Sequence, residues 1–194
     1  MSMGKHDTTA AIVDGLLKIA VGGGVVATVL IIPNAAQALD KPLKYFLNTL
    51  DGRARDREMR RISVYMKKRG LVTGDYEHGL IITKLGRDRA KKVEFDQMNI
   101  QPPKKWDNKW RIVMFDIPES HKVRRNSLTQ KLKQLGFKQL QRSVWIHPFS
   151  CRMEIERTCL AYGVSKYVTY IETTHIDHQD KLITRFTPVL HRHI

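Results

Sequence analysis

"RIVMFDIPESHKVRR", residues 111–125, joins the end of a strand to the start of a basic helix. Its opening apolar run suits a central strand. Pro118 stops that strand two residues after Asp116, which sets the Asp116 carboxylate at a sheet rim. On the helix that follows, Arg124 and Arg125 fall within about 60° of Leu128 at ~100° per residue, in the first turn, and so point toward the same rim.

Downstream, "SHKVRRNSLTQKLKQLG" (120–136) is helical, with Leu128, Leu132 and Leu135 on one face and Gly136 closing it. "FKQLQ" (137–141) and "SVWIHPF" (143–149) read as strands around a tight connection at Gln141–Arg142, and Cys151–Tyr162 as a second helix. "KYVTYIET" (166–173) supplies a fourth strand. The order βαββαβ predicts a ferredoxin-like domain with two helices on one face of an antiparallel sheet. "DHQDKLITRFTPVL" (177–190) is expected to add a helical turn and an edge strand open to a partner chain.

Upstream, "QMNIQPPKKWDN" (97–108) has paired prolines and no apolar periodicity, which makes it the natural boundary. It separates a domain at residues 1–98 from the ferredoxin-like domain at 106–194. In the first, Thr8 is expected to cap a helix to about Ala20, and "NAAQALDKPLKYFLNTL" (34–50) to be helical with an interruption at Pro42. "GRARDREMRRISVYMKKRG" (52–70) places Met59, Ile62, Tyr65 and Met66 on one helical face and Arg53, Arg57, Arg60 and Lys67 on the other. Gly70 ends that helix. "LVTGDYEHGLIIT" (71–83) then reads as a hairpin around Asp75–Gly79, followed by a helix through "LGRDRAKKVEF" (85–95). Helices followed by a hairpin give the order of a winged helix-turn-helix domain, and the whole chain is expected to be α+β.

The 194 residues carry a formal net charge of +15, divided into +8 through residue 105 and +7 beyond it. Two basic halves point to a polyanion, most simply nucleic acid. A cationic helix before a hairpin suits double-stranded DNA, since the helix can enter a major groove while the wing reaches phosphates. The candidate DNA contacts are Arg53, Arg57, Arg60, Arg61, Lys67 and Lys68; the alternative is a merely solvated helix face. "IAVGGGVVATVLII" (19–32) falls short of the ~18 apolar residues of a membrane span and holds three glycines, so no membrane partner is expected. The N-terminus has no secretory signature. Cys151 and Cys159 stand about 12 Å apart along a helix, too far to bridge, which fits a reducing, cytoplasmic location.

One acid, two arginines and a helix N-terminus make a compact place for a phosphate and a divalent ion. The competing reading, favoured on one chain alone, is an internal Asp116–Arg124 ion pair. His121 and His147 are candidate general bases, with an exposed structural role favoured for both.

The stretch "RIVMFDIPESHKVRRNSLTQKLKQLGFKQLQRSVWIHPFSCR" (111–152) resembles the small CRISPR-associated adaptation nucleases, the second family of CRISPR-associated proteins. It resembles equally the central domain of the phenylacetic-acid repressor (PaaX-like) family. "MRRISVYMKKRGLV" and "LIITKLGRDRA" resemble the winged-helix N-terminus of those repressors. The nuclease resemblance implies a homodimer whose strand-end aspartates face each other across a Mg2+ or Mn2+ ion. Asp116 is then the metal ligand, Arg124 and Arg125 the catalytic phosphate contacts, and Ser143 and Trp145 the residues of the third strand. Trp145 stands where phenylalanine is common, and "IPES" is repressor-like wording. The leading expectation is a metal-dependent endonuclease acting on double-stranded DNA as a homodimer. The runner-up is a PaaX-like transcriptional regulator that uses its ferredoxin-like domain to dimerise; a non-catalytic scaffold is the third reading.

Overall fold

A computed structural model of the chain describes residues 5–22, 29–30 and 39–191, and its backbone divides into two units, Met1–Gln97 and Met98–Ile194.

In the first unit, helix α1 (Lys5–Gly22) begins ahead of Thr8, so Thr8 is not its cap: no proline or glycine over residues 5–7 stops the helix from running back. Ile12, Val13, Leu16, Leu17 and Ala20 form its buried stripe. The stretch at 19–32 lies largely outside the described residues; within it, Val29–Leu30 form the short strand β1. Pro42 starts helix α2 (Lys41–Asn48) rather than interrupting a longer one. In a first turn its missing N–H costs no helical hydrogen bond.

Helix α3 (Gly52–Lys68) is capped by Asp51, whose carboxylate accepts from the Ala54 N–H at 2.7 Å. Met59, Ile62 and Met66 bury its apolar face. Gly70, at φ 67°, turns the chain out of the helix in the left-handed region that favours glycine. Strands β2 (Val72–Asp75) and β3 (Gly79–Ile82) form the hairpin, and α4 (Lys84–Asp96) follows, capped by Thr83. Gly86 is required at the start of α4, since a Cβ there would stand 2.1 Å from the Leu71 carbonyl oxygen. The antiparallel sheet has the order β1-β3-β2. The hairpin expected after α3 and the helix expected after the hairpin are both present.

In the second unit, β4 (Trp110–Phe115), β5 (Lys138–Gln141), β6 (Val144–His147) and β7 (Val168–Thr173) make an antiparallel sheet in the order β5-β6-β4-β7. Its helices are α5 (Lys122–Gln134) and α6 (Arg152–Tyr162). Val113, Phe115 and Trp145 face Leu128 and Leu132 of α5 and Ile155 and Cys159 of α6 in one buried cluster. Trp110, Ile112 and Ile146 point to the opposite face. The apolar run of β4 is therefore covered on both sides.

What covers the second face corrects the sequence expectation. Residues 179–190 form no edge strand; the helical turn expected there is a full helix, α7 (Gln179–Leu190), whose Leu182, Phe186 and Leu190 bury against Trp106, Trp110 and Phe149. Their four-residue spacing is helical, and Pro188 falls in the last turn. Among the described residues, no helix is long and apolar enough to cross a membrane.

Candidate nucleic-acid interface and strand-end cleft

The cationic face of α3 is real but not uniform. Arg53, Arg57, Lys67 and Lys68 are exposed and carry no side-chain hydrogen bond or ion pair among the described residues. On a 100° step they lie within about 100° of arc, with half-exposed Val64 between them. Arg60 and Arg61, also expected to contact DNA, already have partners. Arg61 donates to both Glu58 carboxylate oxygens and, through Nη2, to Thr9 Oγ1 at 2.8 Å. Arg60 donates to Asp56 and Glu77 at 2.9 Å each.

The hairpin tip is acidic. Asp75 accepts from the backbone N–H groups of Glu77 at 2.9 Å and His78 at 2.8 Å, which closes the turn. Tyr76 donates its hydroxyl to Asp56 at 2.8 Å. Burial, with the Asp56 hydrogen bond second, pushes the Tyr76 phenol up to about 12. Hydrogen bonds from Arg60 and Tyr76 hold Asp56 below the ordinary carboxylate range. A wing that carries Asp75 and Glu77 is poorly suited to grip phosphates, contrary to the role expected of it. Asp56, four residues before Arg60 on one helix, was legible as its partner; Tyr76 and Glu77 gave no such signal.

In the second unit, Asp116 stands exposed just past the end of β4, as the following proline implies. Its backbone N–H donates to the Tyr167 carbonyl at 3.0 Å, which fixes the main chain. Its carboxylate has no partner among the described residues. The Asp116–Arg124 ion pair is therefore not formed. Asp116 lines a polar cleft of about 450 Å³ together with Glu119, Arg125, Asn126, Thr129, Arg142 and Ser143.

Of the two arginines assigned to this site, the fold brings in one. Arg125 donates to Glu119 at 2.8 Å and to the Ile117 carbonyl at 3.4 Å. Arg124 instead donates to the carbonyl of Gly163, just past the end of α6, at 3.4 Å. Of the two residues assigned to the third strand, Ser143 lines the cleft just ahead of β6 and Trp145 is buried in the core. Arg142, in the β5–β6 turn, is a cleft residue that the sequence reading passed over.

Neither histidine is placed as a base for Asp116. His121 meets the Tyr167 ring edge-on at 5.8 Å. His147 is buried rather than exposed, against Phe137 and Phe149. Burial pulls its imidazole down to about 4, and its Nδ1 accepts from the Phe149 N–H at 3.1 Å. At neutral pH it is an uncharged core residue. Cys151 and Cys159 are likewise buried thiols, raised to about 12 and about 11 by desolvation.

No group of three or more His, Cys, Asp or Glu side chains gathers among the described residues. A hard divalent cation takes six or more oxygen ligands, mostly from carboxylates, carbonyls and water. One chain offers Asp116 and a Glu119 already engaged by Arg125 and by Lys122 at 3.5 Å. By themselves these residues do not make a cage for magnesium.

Residues 103–183 match the family model described as the PaaX protein central Cas2-like domain. The second unit carries a PaaX-like, Cas2-like domain. No curated protein matches the chain. The match names the repressor-type version of the domain, and so favours the regulator over the nuclease that led the sequence reading.

Proposed function

We propose that this protein is a PaaX-like DNA-binding transcriptional regulator. Residues 1–98 act as a winged-helix domain on double-stranded DNA, and residues 106–194 pair two copies into a homodimer. The observation that carries this reading is the face of α3, where Arg53, Arg57, Lys67 and Lys68 stand exposed beside a hairpin without counter-ions among the described residues. A helix with free cations on its outer face neutralises phosphates, and the groups it sends into the groove meet base edges. The family match at residues 103–183 supports the same reading. A two-fold dimer presents two such helices, which suits a palindromic site.

The test is a mobility shift with supercoiled plasmid and with linear duplex, in magnesium and in chelator. The expected result is a retarded but intact plasmid in both buffers, and light scattering at twice the chain mass.

A second reading rests on one observation, the exposed, unpartnered carboxylate of Asp116 in the cleft with Arg125 and Arg142. Facing copies of Asp116 in a dimer would double the carboxylates available to Mg2+ or Mn2+, as an endonuclease needs. Plasmid nicking in magnesium, absent in chelator, would select it.

A further inference from the structure

Arg60 is the cation of α3 that reaches the hairpin. Its Nε donates to Asp56 Oδ2 and its Nη1 to Glu77 Oε1, each at 2.9 Å. Its guanidinium also covers the Tyr76 ring at 4.7 Å from the centroid. Tyr76 donates to the second oxygen of Asp56 at 2.8 Å. One guanidinium, two carboxylates and a phenol thus tie the β2–β3 turn to the middle of α3.

The charges explain why this cluster does not serve as a phosphate site. Two carboxylates around one guanidinium leave it net negative, so an approaching phosphate meets repulsion where a free arginine would offer attraction. The carboxylates also hold the fork-shaped donor edges that a phosphate needs. Arg53, Arg57, Lys67 and Lys68 have no such competitors among the described residues.

We propose that Arg60 is a positioning residue rather than a DNA contact: it fastens the hairpin to α3 and so sets where the wing stands when the helix meets duplex DNA. This rests on the duplex-binding reading above. The role explains why acids are placed on the hairpin side of a cationic helix, where they would otherwise weaken binding.

The experiment compares Arg57→Ala, Arg60→Ala, Arg60→Lys and Tyr76→Phe in the full chain. Duplex affinity is measured over a salt series, and hydrogen exchange is followed at the amides of residues 76–79. Arg57→Ala is expected to reduce the salt slope by about 0.9, whereas Arg60→Ala leaves it unchanged. Arg60→Lys keeps the charge but not the fork, and Tyr76→Phe changes no charge. Both are expected to speed exchange in the turn and to weaken binding by about threefold or more, equivalent to the loss of one hydrogen bond.

A salt slope that falls by about 0.9 in Arg60→Ala, with wild-type affinity in Arg60→Lys, would overturn the proposal in favour of a phosphate contact. Faster exchange at unchanged affinity would overturn it too, leaving a tie with no part in binding. If the wild-type chain binds no duplex, the functional reading is what fails. Exchange in the free protein then still decides the tie, and unchanged exchange in both charge-neutral variants would reject it.

Discussion

The outer face of α3 and the cleft beside Asp116 are both rich in cations, and they treat them in opposite ways. On α3, Arg53, Arg57, Lys67 and Lys68 are left without counter-ions among the described residues. Around the cleft, Arg125 and Lys122 share Glu119 and Arg124 is drawn off to the Gly163 carbonyl, while Arg142 alone of the four is exposed without a side-chain partner among the described residues. Yet the two parts of the chain differ by a single formal charge, +8 against +7. Net charge alone therefore does not locate a polyanion site. A paired guanidinium presents a short-range dipole, whereas an unpaired one keeps its field out to a Debye length of about 10 Å.

The largest effect should come from removing the unpaired set. Replacing Arg53, Arg57, Lys67 and Lys68 together by alanine is expected to weaken binding to unrelated duplexes on the order of 100-fold near 0.1 M salt. The salt slope should flatten by about 3 to 4. Replacing Arg124, Arg125 and Lys122 together should cost far less. Fluorescence anisotropy across a salt series measures both, and equal losses would break the contrast between the two regions.

Paired charge in the second unit serves the fold instead, and Arg111 shows how. It is 3% exposed on β4, and its Nη1 donates to Asp107 at 2.7 Å, to the Lys109 carbonyl at 2.9 Å and to the Pro148 carbonyl at 2.8 Å. Trp106 donates to the same Pro148 carbonyl at 2.8 Å, so the segment before β4 is pinned to the sheet. Asp107→Asn is expected to cost about 1 to 3 kcal/mol, because a buried guanidinium loses its charged acceptor.

The Arg111 hydrogen bond holds the Asp107 carboxyl below the ordinary carboxylate range. A folded-state pKa below the unfolded value of about 4 gives stability that is full above that value and is lost as pH falls through the folded pKa. The deficit of Asp107→Asn should therefore shrink as the melting temperature is measured at lower pH. A deficit constant down to pH 2 would show that the ion pair contributes nothing.

The sequence disclosed what depends on local pattern. Pro118 two residues after Asp116 fixes a strand end at the rim, and the leucine spacing over 128–135 sets the buried face of α5. What depends on docking was hidden. Arg124 and Arg125 are one helical step apart, and the seating of α5 beside α6 decides which enters the cleft. Glu77 is separated from Arg60 by a strand and a turn, so no spacing rule reveals the pair. Helix α7 was misread although Leu182, Phe186 and Leu190 have helical spacing. Its β-branched Ile183, Thr184, Thr187 and Val189 favour a strand on local propensity, and Pro188 argues against a helix interior. Burial against Trp110 and Phe149 overrides that preference. His147 continues a strand buried on both faces, and its polar ring masked a core position.

The smallest expected effect is the one that separates the two functional readings. Asp116 is exposed and its carboxylate has no partner among the described residues, so Asp116→Asn removes a charge without breaking a contact. Stability should move by no more than about 0.5 kcal/mol, as for other surface changes away from special features. If the chain is a regulator, duplex affinity should also stay within about twofold, since the unpaired cations of α3 are unchanged and the loss of one exposed carboxylate is largely screened by salt. If the chain is a nuclease, magnesium-dependent nicking should vanish while affinity and melting temperature hold. A variant that is much less stable would contradict the expectation that Asp116 makes no contact that supports the fold; a melting temperature that then depends on protein concentration would assign the lost contact to the dimer.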